Sequence, residues 1–321
     1  MHRQAHLAEH LPGRARPIAR TLERHGIAAT YALHDRVLAN RSSRRRFATA
    51  RPVLDELQRD LVTELDANGY AVVPFADLVS DDDLLAAVES QGASFISRTE
   101  TALASGDDGE AGQLRRRAGK EFVVRAHSFE GDRIGAEDAW FRACVSSSLL
   151  DLANAYLRMW AKLSYVDLWY TVPQAQGTDR VASQLWHLDF DDRYLLKAFL
   201  YLNDVDAAAG PFEYIPGSQA GGRYDSVWHW APMGNCRVAA EEVGNHVATD
   251  GIKTFTAPRG TLILCNTSGL HRGGFSTSKP RVLATATYCS PASLHALSRR
   301  NFVPEPDAPA ATFAAARFAV A

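Results

Sequence analysis

The sequence predicts an α+β fold in which a β-sandwich or jelly-roll barrel is flanked by helices and preceded by a helical N-terminal extension. Two observations predict it. Short strand-like segments separated by glycine and proline turns dominate the chain from residue 163 onward, as in sandwiches and barrels. Before that point, apolar residues mostly recur at helical spacing. The predicted barrel strands are 163–172, 184–190, 194–202, 212–215, 261–264 and 281–288.

The first half of the chain is predicted to be mainly helical. Apolar spacing predicts helices over 17–38 and 51–68, separated by a charged break at 42–46. Gly69 ends the second helix. Acidic residues after Ser80 favour the start of another helix at residue 84, because they stabilise a helix N-terminus. The other predicted elements are strands over 70–75 and 120–129, a loop over 105–112 and a helix over 146–162.

We expect three parts: a basic helical extension over 1–50, a jelly-roll domain over 51–300 and a C-terminal tail over 301–321. The extension has ten arginines, no lysine and three acids, a net charge of about +7, so the remainder carries about −9. A basic arm can bind nucleic acid. The extension has only Tyr31 and Phe47 as aromatic residues, which are too few for base stacking. We therefore favour a solvated helical surface and expect no nucleic-acid partner.

The composition is that of a water-soluble globular protein. Of the 321 residues, 46% are hydrophobic and 22% are charged, which are ordinary values. No run of about 18 apolar residues is present, so we expect no membrane span. The first residues also lack the apolar segment of a signal peptide. The four cysteines are scattered without a Cys-x-x-Cys pair, so neither a zinc knuckle nor a disulfide framework is indicated.

A metal-binding pattern lies in the second half of the chain. His187 and Asp189 are alternate residues of a predicted strand, so their side chains point to the same face. His271 follows a predicted buried strand and lies among glycines, where a ligand can approach the backbone closely. Two imidazoles and one carboxylate on one face of an iron leave positions open for O2 and a cosubstrate. A lone His-x-Asp pattern also arises by chance, so this interpretation depends on the second histidine.

Two cations in predicted strands are candidates for anion binding. Arg281 begins the last predicted strand, and its planar guanidinium suits a carboxylate. The alternative for Arg281 is a solvated charge at a strand end. Lys197 interrupts an apolar strand, and it either faces solvent or reaches an anionic group of the substrate or cosubstrate.

These motifs occur in the same order as in the phytanoyl-CoA dioxygenase (PhyH)-like family of Fe(II)/2-oxoglutarate oxygenases, which the chain resembles from about residue 165 to residue 291. The resembling segments are 184–189, 197–205, 210–212, 216–218 and 271–274, together with Arg281. Several motifs in order are more specific than any one of them.

The resemblance implies a double-stranded β-helix core, the cupin-like form of the jelly roll. It also implies that His187, Asp189 and His271 bind Fe(II) and are the catalytic residues. Arg281 would bind the distal carboxylate of 2-oxoglutarate. Gln184 would lie behind the first metal ligand or touch the cosubstrate.

Three departures from the family pattern concern the surroundings of the metal. Gln219 stands where the family often has a histidine, and Gly273 stands where a small hydroxyl residue often helps to hold 2-oxoglutarate. The interval from His271 to Arg281 is also one residue shorter than the commonest spacing. The last two departures leave the contacts to the cosubstrate open, but they do not affect the metal ligands.

The interval between the two halves of the motif is expected to form a lid over the substrate, at about 218–256. Trp228 and Trp230 could line an apolar substrate pocket there. Packing within the small core of the loop itself is an equally good interpretation of both.

The resemblance implies an oxygenase that hydroxylates an unactivated C–H bond of a small molecule, with succinate and CO2 as coproducts. Asp189 favours hydroxylation over halogenation, since related halogenases have a small residue there. Desaturation, epoxidation and cyclisation use the same three ligands and stay open as alternatives. We expect a cytoplasmic enzyme of specialised metabolite biosynthesis, with a substrate that can be anionic or carrier-linked. The alternatives are a cupin-like metalloenzyme that does not use 2-oxoglutarate and a non-catalytic jelly-roll binding protein.

Overall fold

The computed structural model describes residues 16–106, 115–117, 119–127, 134–232, 237–293 and 302. The helices in this part of the chain are α1 (Arg16–Arg36), α2 (Ala39–Thr49), α3 (Glu56–Asn68), α4 (Phe75–Leu78), α5 (Asp82–Ala104), α6 (Ala139–Val145), α7 (Ser147–Leu157) and α8 (Ala240–His246). The strands are β1 (Tyr70–Pro74), β2 (Arg115–Arg117), β3 (Lys120–Arg125), β4 (Lys162–Thr171), β5 (Leu195–Tyr201), β6 (Glu213–Tyr214), β7 (Lys253–Thr254), β8 (Thr261–Cys265), β9 (His271–Arg272) and β10 (Arg281–Cys289).

Two antiparallel sheets form the barrel. The large sheet has the strand order β1-β8-β5-β10-β4-β3-β2, and the small sheet has the order β7-β6-β9. An apolar cluster that contains Phe199 and Leu283 of the large sheet and Tyr214 of the small sheet fills the space between them. Neighbouring strands far apart in sequence, such as β4 and β10, are typical of a jelly roll. The structure therefore confirms the predicted fold class.

The strands of the large sheet alternate between an outer and an inner face. The even-numbered residues of β10, from Val282 to Tyr288, pack with the helices in the main hydrophobic core. Leu283 instead packs in the cluster between the sheets. Because side chains of a strand alternate, Arg281 also faces the barrel interior. The same alternation in β5 places Lys197 on the inner face.

Helices α3 to α7 cover the outer face of the large sheet with a continuous apolar core. Helix α3 begins where the Asp55 side chain accepts a hydrogen bond from the Gln58 amide, as in a capping box. It ends at Gly69, as predicted, with a φ of +81°. A Cβ there would lie 2.3 Å from the Tyr214 hydroxyl, so a glycine is required both for the turn and for the approach of the small sheet.

The structure corrects two predicted elements. The charged segment 42–46 lies inside α2, because the helix is held by distant contacts: Ser43 Oγ donates to the Trp160 carbonyl at 2.7 Å, and Asn40 Oδ1 accepts from the Ala292 amide at 2.9 Å. The predicted strand 184–190 is a 3₁₀ turn followed by a single bridged residue, His187. The chain does not continue as a strand beyond His187, because the Asp189 amide donates to the Thr267 carbonyl and not to a neighbouring strand.

The three-part division of the chain stays a prediction. The described part of the extension packs on the barrel through α2, and Phe302, in the predicted tail, stacks on Phe141 with ring centroids 5.1 Å apart. Most of the predicted loop over 105–112, the end of the predicted strand over 120–129 and residues 303–321 lie outside the described residues. None of the described helices has the length and apolar character needed to cross a membrane.

Candidate metal centre and active site

The structure brings His187, Asp189 and His271 together. One ligand atom from each lies within 4.8 Å of the others. The two histidines occupy opposed positions in an antiparallel bridge, in which the His187 amide donates to the His271 carbonyl at 2.9 Å and the His271 amide donates to the His187 carbonyl at 3.0 Å. Trp186 and Leu188 pack in a separate cluster on the other side. The predicted alternation of faces therefore holds, although no regular strand is present.

The imidazoles are oriented for metal binding. His187 Nδ1 donates to the Leu185 carbonyl at 2.8 Å, and His271 Nδ1 donates to the Gly269 carbonyl at 2.9 Å. These bonds leave Nε2 of each ring free as a ligand. The Nε2 atoms lie 3.9 and 3.7 Å from the Asp189 carboxylate oxygens. Burial lowers the pKa of both histidines, which favours the neutral form that binds metals.

Asp189 is held as a carboxylate by Lys197. The lysine Nζ lies 2.5 Å from Asp189 Oδ2 on the inner face of the barrel. Burial by itself would raise the pKa of Asp189, but Lys197 and the two imidazoles hold it well below its usual range. Lys197 therefore contacts the carboxylate of Asp189, the third candidate metal ligand, and it does not face solvent. Its predicted contact with a cosubstrate or substrate stays a prediction.

Arg281 is buried on the inner face, and none of the carboxylates that the structure describes pairs with it. Its Nη1 donates to the Gly210 carbonyl at 2.6 Å, whereas its Nε has no hydrogen-bond partner among the residues that the structure describes. A Cβ at Gly273 would lie 3.3 Å from Nη2, so this glycine leaves space beside the guanidinium. A buried cation with an unpaired donor is costly unless an anion joins it. The arginine therefore fits the distal carboxylate of an oxoacid.

The backbone around Gly273 links the surroundings of Arg281 to the metal ligands. The Gly273 amide, two residues after His271, donates to the Ser183 carbonyl at 2.7 Å. Phe212 lies beside His271, with ring centroids 5.6 Å apart. An aromatic side chain therefore neighbours a candidate metal ligand, and the glycine backbone at Gly273 neighbours Arg281. Position 273 is a glycine, so the small hydroxyl side chain that the family often has there is absent from this chain.

The other predicted site residues have more local roles in the structure. Gln184 is buried, with Oε1 accepting from the Val181 amide at 3.0 Å and Nε2 donating to Gln174, so it braces the turn before His187. Trp228 packs in the small apolar cluster that also contains Val243 of α8 and Leu270 beside the small sheet. The predicted lid over 218–256 stays a prediction. Trp230 lies closer to the metal ligands, because its Nε1 donates to the Asp189 carbonyl at 2.8 Å. Direct contacts of these residues with a cosubstrate or substrate stay predictions.

Sequence reasoning missed Tyr31. This residue of α1 is buried and packs against Trp230, with ring centroids 5.2 Å apart and the rings tilted by 53°. Its hydroxyl donates to the Asp192 carboxylate, 161 residues away in the chain. The only signal was an aromatic residue in an otherwise polar and basic arm, which the sequence alone does not connect to the metal site.

Solved structures of other proteins are similar to this chain. The epimerase SnoN, solved with Fe3+, alpha ketoglutarate and nogalamycin RO, is 17% identical over 73% of this chain and 83% of its own, with a TM-score of 0.46. EctD from S. alaskensis, solved with 2-oxoglutarate and 5-hydroxyectoine, is 19% identical over 76% and 78%, with a TM-score of 0.47. AviO1 from Streptomyces viridochromogenes is 19% identical over 75% and 97%, with a TM-score of 0.48.

No curated protein sequence matches the chain. The family model of phytanoyl-CoA dioxygenase (PhyH) does match it, over residues 65–282. That match spans about two thirds of the chain and includes all three candidate metal ligands and Arg281. The chain therefore belongs to the phytanoyl-CoA dioxygenase (PhyH) family of non-haem iron, 2-oxoglutarate-dependent oxygenases.

Proposed function

We propose that this enzyme hydroxylates an unactivated C–H bond of a polar small molecule and forms succinate and CO2 from 2-oxoglutarate. One observation carries the proposal: His187, Asp189 and His271 converge at the inner face of a barrel that also buries Arg281, with which no described carboxylate pairs. The first three residues suit a metal, and the fourth suits the distal end of a dicarboxylate. Their combination is what a 2-oxoglutarate oxygenase needs.

The residues of the chain have distinct roles in this proposal. His187 and His271 hold the metal through Nε2, and Asp189 supplies the third ligand on the same face. Arg281 binds the distal carboxylate and so fixes the orientation of the oxoacid. When bound, iron and 2-oxoglutarate together supply the oxidising power that cleaves the C–H bond. Asp189 fills the position that a halide would need, so hydroxylation is favoured over halogenation.

A polar substrate is supported by the inner face of the large sheet beside the metal ligands. In the sheet register Thr287 lies opposite Lys197 on one side and opposite Tyr165 on the other. Next to Tyr165, a buried ion pair joins Arg125 and Asp167 at 2.6 Å. At this end of the wall a long hydrocarbon would meet the polar groups of Thr287 and Lys197 and the Arg125–Asp167 pair. Hydroxyl or amino groups would find donors and acceptors there.

Thr285 adds a second reason for a polar substrate. It lies between Phe199 and Asp167 in the register of the sheet, on the inner face. Its side chain is fully buried, and its hydroxyl has no hydrogen-bond partner within the described part of the chain. Buried hydroxyls are normally paired, and a polar ligand or an ordered water beside Thr285 would supply the partner that this hydroxyl lacks.

The biological setting is part of the same proposal. A cytoplasmic location is supported by Cys144, Cys265 and Cys289, which are free thiols, as is usual in a reducing compartment. A role in specialised metabolism, with a substrate that can be anionic or carrier-linked, continues the prediction from the sequence.

Two alternative functions are less well supported. A cupin-like metalloenzyme without 2-oxoglutarate has no use for the buried, unpaired guanidinium of Arg281. A non-catalytic binding protein has no use for two imidazoles that both present Nε2 to one carboxylate.

A substrate screen tests the proposal. Protein with Fe(II), 2-oxoglutarate and O2 is incubated with matched sets of polar and hydrocarbon-rich small molecules, and succinate release and product mass are measured. We expect polar compounds to stimulate succinate formation and to gain one oxygen atom. Stimulation by hydrocarbon-rich compounds alone would contradict the polar substrate. A product that has lost two hydrogens would reassign the reaction to desaturation.

Lys197→Met provides a test of how Asp189 is prepared for the metal. Loss of the cation removes the main influence that opposes burial, so the pKa of Asp189 should rise. An aspartate must be deprotonated to bind a metal. In the variant, protons will therefore compete with the metal up to a higher pH than in the wild type. The low pKa in the wild type keeps the carboxylate charged until strongly acidic pH. We therefore expect the pH midpoint of Mn(II) binding, measured by calorimetry, to move upward in the variant.

Lys279→Met is the matched control, because Lys279 forms an exposed pair with Asp206 on the protein surface. It should leave the midpoint unchanged. Equal midpoints in wild type and Lys197→Met would show that the lysine does not set the charge of Asp189.

A further inference from the structure

We propose that Tyr31, in the N-terminal helix α1, is a positioning residue of the metal centre that acts through Trp230 and Asp192. The proposal deepens the proposed function, since it assumes that Asp189 is a metal ligand. It assigns the extension a role in catalysis, although the extension lies outside the part of the chain that matches the family model, residues 65–282.

The backbone of Asp189 is fixed by two hydrogen bonds. Its amide donates to the Thr267 carbonyl at 2.8 Å. Its carbonyl accepts from Trp230 Nε1 at 2.8 Å. Thr267 follows a central strand of the barrel and is rigidly placed. Trp230 lies in the lid segment outside regular structure, so its position depends on what packs against it.

Tyr31 packs against Trp230 and also anchors the chain after Asp189. Its ring centroid lies 5.2 Å from that of Trp230, and its hydroxyl donates to Asp192. Asp192 is fully buried and accepts from the Ser290 amide at 2.8 Å and from the Tyr194 amide at 3.1 Å. Tyr31 thus supports the segment 189–192 at both ends. It packs on Trp230, which holds the Asp189 carbonyl, and it bonds directly to Asp192.

The way in which α1 docks indicates a specific contact instead of general stabilisation. Among the α1 side chains that the structure describes, Tyr31 and Asp35 are the buried ones. Asp35 accepts from Asn40 Nδ2 at 2.9 Å and pairs with Arg44 at 2.7 Å. The described part of α1 is therefore held by directional polar bonds, those of Asp35 to α2 and that of Tyr31 to Asp192, which fix a geometry more than they add apolar burial. The end of this docking surface that reaches the metal centre is Tyr31.

Three variants test the proposal in the full-length protein. Tyr31→Phe removes the hydroxyl and keeps the ring, Tyr31→Ala removes both, and Trp230→Phe removes the donor to Asp189. Loss of an outer partner of a metal ligand typically weakens metal binding about 10- to 100-fold. We expect a loss in this range for Trp230→Phe and Tyr31→Ala, and a smaller loss, of about 3- to 10-fold, for Tyr31→Phe, which acts one contact further away.

The readout is the dissociation constant of Mn(II), measured by calorimetry at a temperature where every variant is folded, beside the melting temperature. The matched control is Tyr170→Phe. Tyr170 belongs to the outer core, and its hydroxyl lies 3.5 Å from Glu100 on the helical side of the sheet. This control should keep the wild-type affinity for Mn(II). A purely structural role of Tyr31 would lower the melting temperature and leave the dissociation constant unchanged, and that result would overturn the proposal.

His187→Ala separates the two levels of inference. If it weakens Mn(II) binding strongly while the Tyr31 and Trp230 variants bind like wild type, the positioning role is wrong and the proposed function stands. If His187→Ala itself binds Mn(II) like wild type, the assignment of the metal site fails, and the positioning role fails with it. Weakened binding in His187→Ala, Trp230→Phe and both Tyr31 variants, in that order of severity, supports the proposal.

Discussion

Replacement of His187 or His271 by alanine is expected to abolish tight metal binding and, with it, all turnover of 2-oxoglutarate. Each imidazole supplies one of three ligand atoms that converge within 4.8 Å. Removal of a direct ligand should weaken binding by more than the roughly 10- to 100-fold that loss of an outer partner causes. The measurement is a calorimetric titration with Mn(II), followed by an assay for succinate with Fe(II) under air.

His229→Ala is the matched control for both histidine variants. His229 lies outside the candidate metal site: its side chain is 80% exposed and pairs loosely with Asp225 at 3.7 Å. It should bind Mn(II) like wild type. Retention of wild-type affinity in His187→Ala or His271→Ala would contradict the assignment of these residues as ligands.

Asp189→Ala has a second consequence, because it leaves the ammonium of Lys197 buried and unpaired. Breaking one side of a buried ion pair destabilises a protein by about 3–5 kcal/mol. The double variant Asp189→Ala/Lys197→Met should recover most of that loss, since no charge is then stranded. It should still fail to bind the metal. Thermal and denaturant unfolding of the two variants would separate the stabilising role of the pair from its role in metal binding.

Replacement of Arg281 by leucine is expected to weaken the binding of 2-oxoglutarate strongly and to leave metal binding intact. Loss of one partner from a buried, hydrogen-bonded charge pair typically costs about 2–5 kcal/mol, or about 30- to 4,000-fold in affinity. Arg281→Lys should fall between the leucine variant and wild type, because it keeps the charge and loses the planar fork. The measurement is the 2-oxoglutarate concentration that gives half-maximal succinate formation.

In the absence of 2-oxoglutarate, the Arg281→Leu variant is expected to be more stable than wild type. No described carboxylate pairs with Arg281, and its Nε lacks a partner. Arg281→Leu should therefore melt at a higher temperature than wild type in the absence of the oxoacid. Addition of 2-oxoglutarate with Mn(II) should raise the melting temperature of wild type and have much less effect on the variant.

Arg259→Leu serves as the control for Arg281, because Arg259 is exposed and forms only a loose surface pair with Glu89. It should change neither the affinity for 2-oxoglutarate nor the melting temperature appreciably. An Arg281→Leu protein with wild-type affinity for 2-oxoglutarate would favour a metalloenzyme that does not use this cosubstrate.

The sequence was sufficient to predict what depends on local spacing and on the order of motifs. Apolar segments bounded by glycine and proline turns predicted β4, β5, β8 and β10, because buried strands of a barrel carry a strong apolar pattern. His187, Asp189 and His271 could be proposed together because their chemistry is specific and their order is fixed along the chain. Gly69 could be placed at a helix end because its conformation excludes most other residues.

Contacts between distant segments could not be predicted. The pairing of Lys197 with Asp189 depends on how β5 lies beside the loop after His187, and no local pattern reveals it. The segment 42–46 resembles a charged break, yet it is helical because Asn40 and Ser43 bond to residues more than 100 positions away. Tyr31 reaches Asp192 across 161 positions. Tertiary contacts override local propensity at such places.

The most direct test of the iron and 2-oxoglutarate assignment is an anaerobic titration of metal-free protein with Fe(II), then with 2-oxoglutarate, followed by visible absorption. We predict a weak charge-transfer band that forms in wild type, is absent in His187→Ala and needs much more 2-oxoglutarate in Arg281→Leu. A wild-type protein that binds Fe(II) but gives no band at saturating 2-oxoglutarate would contradict the central claim.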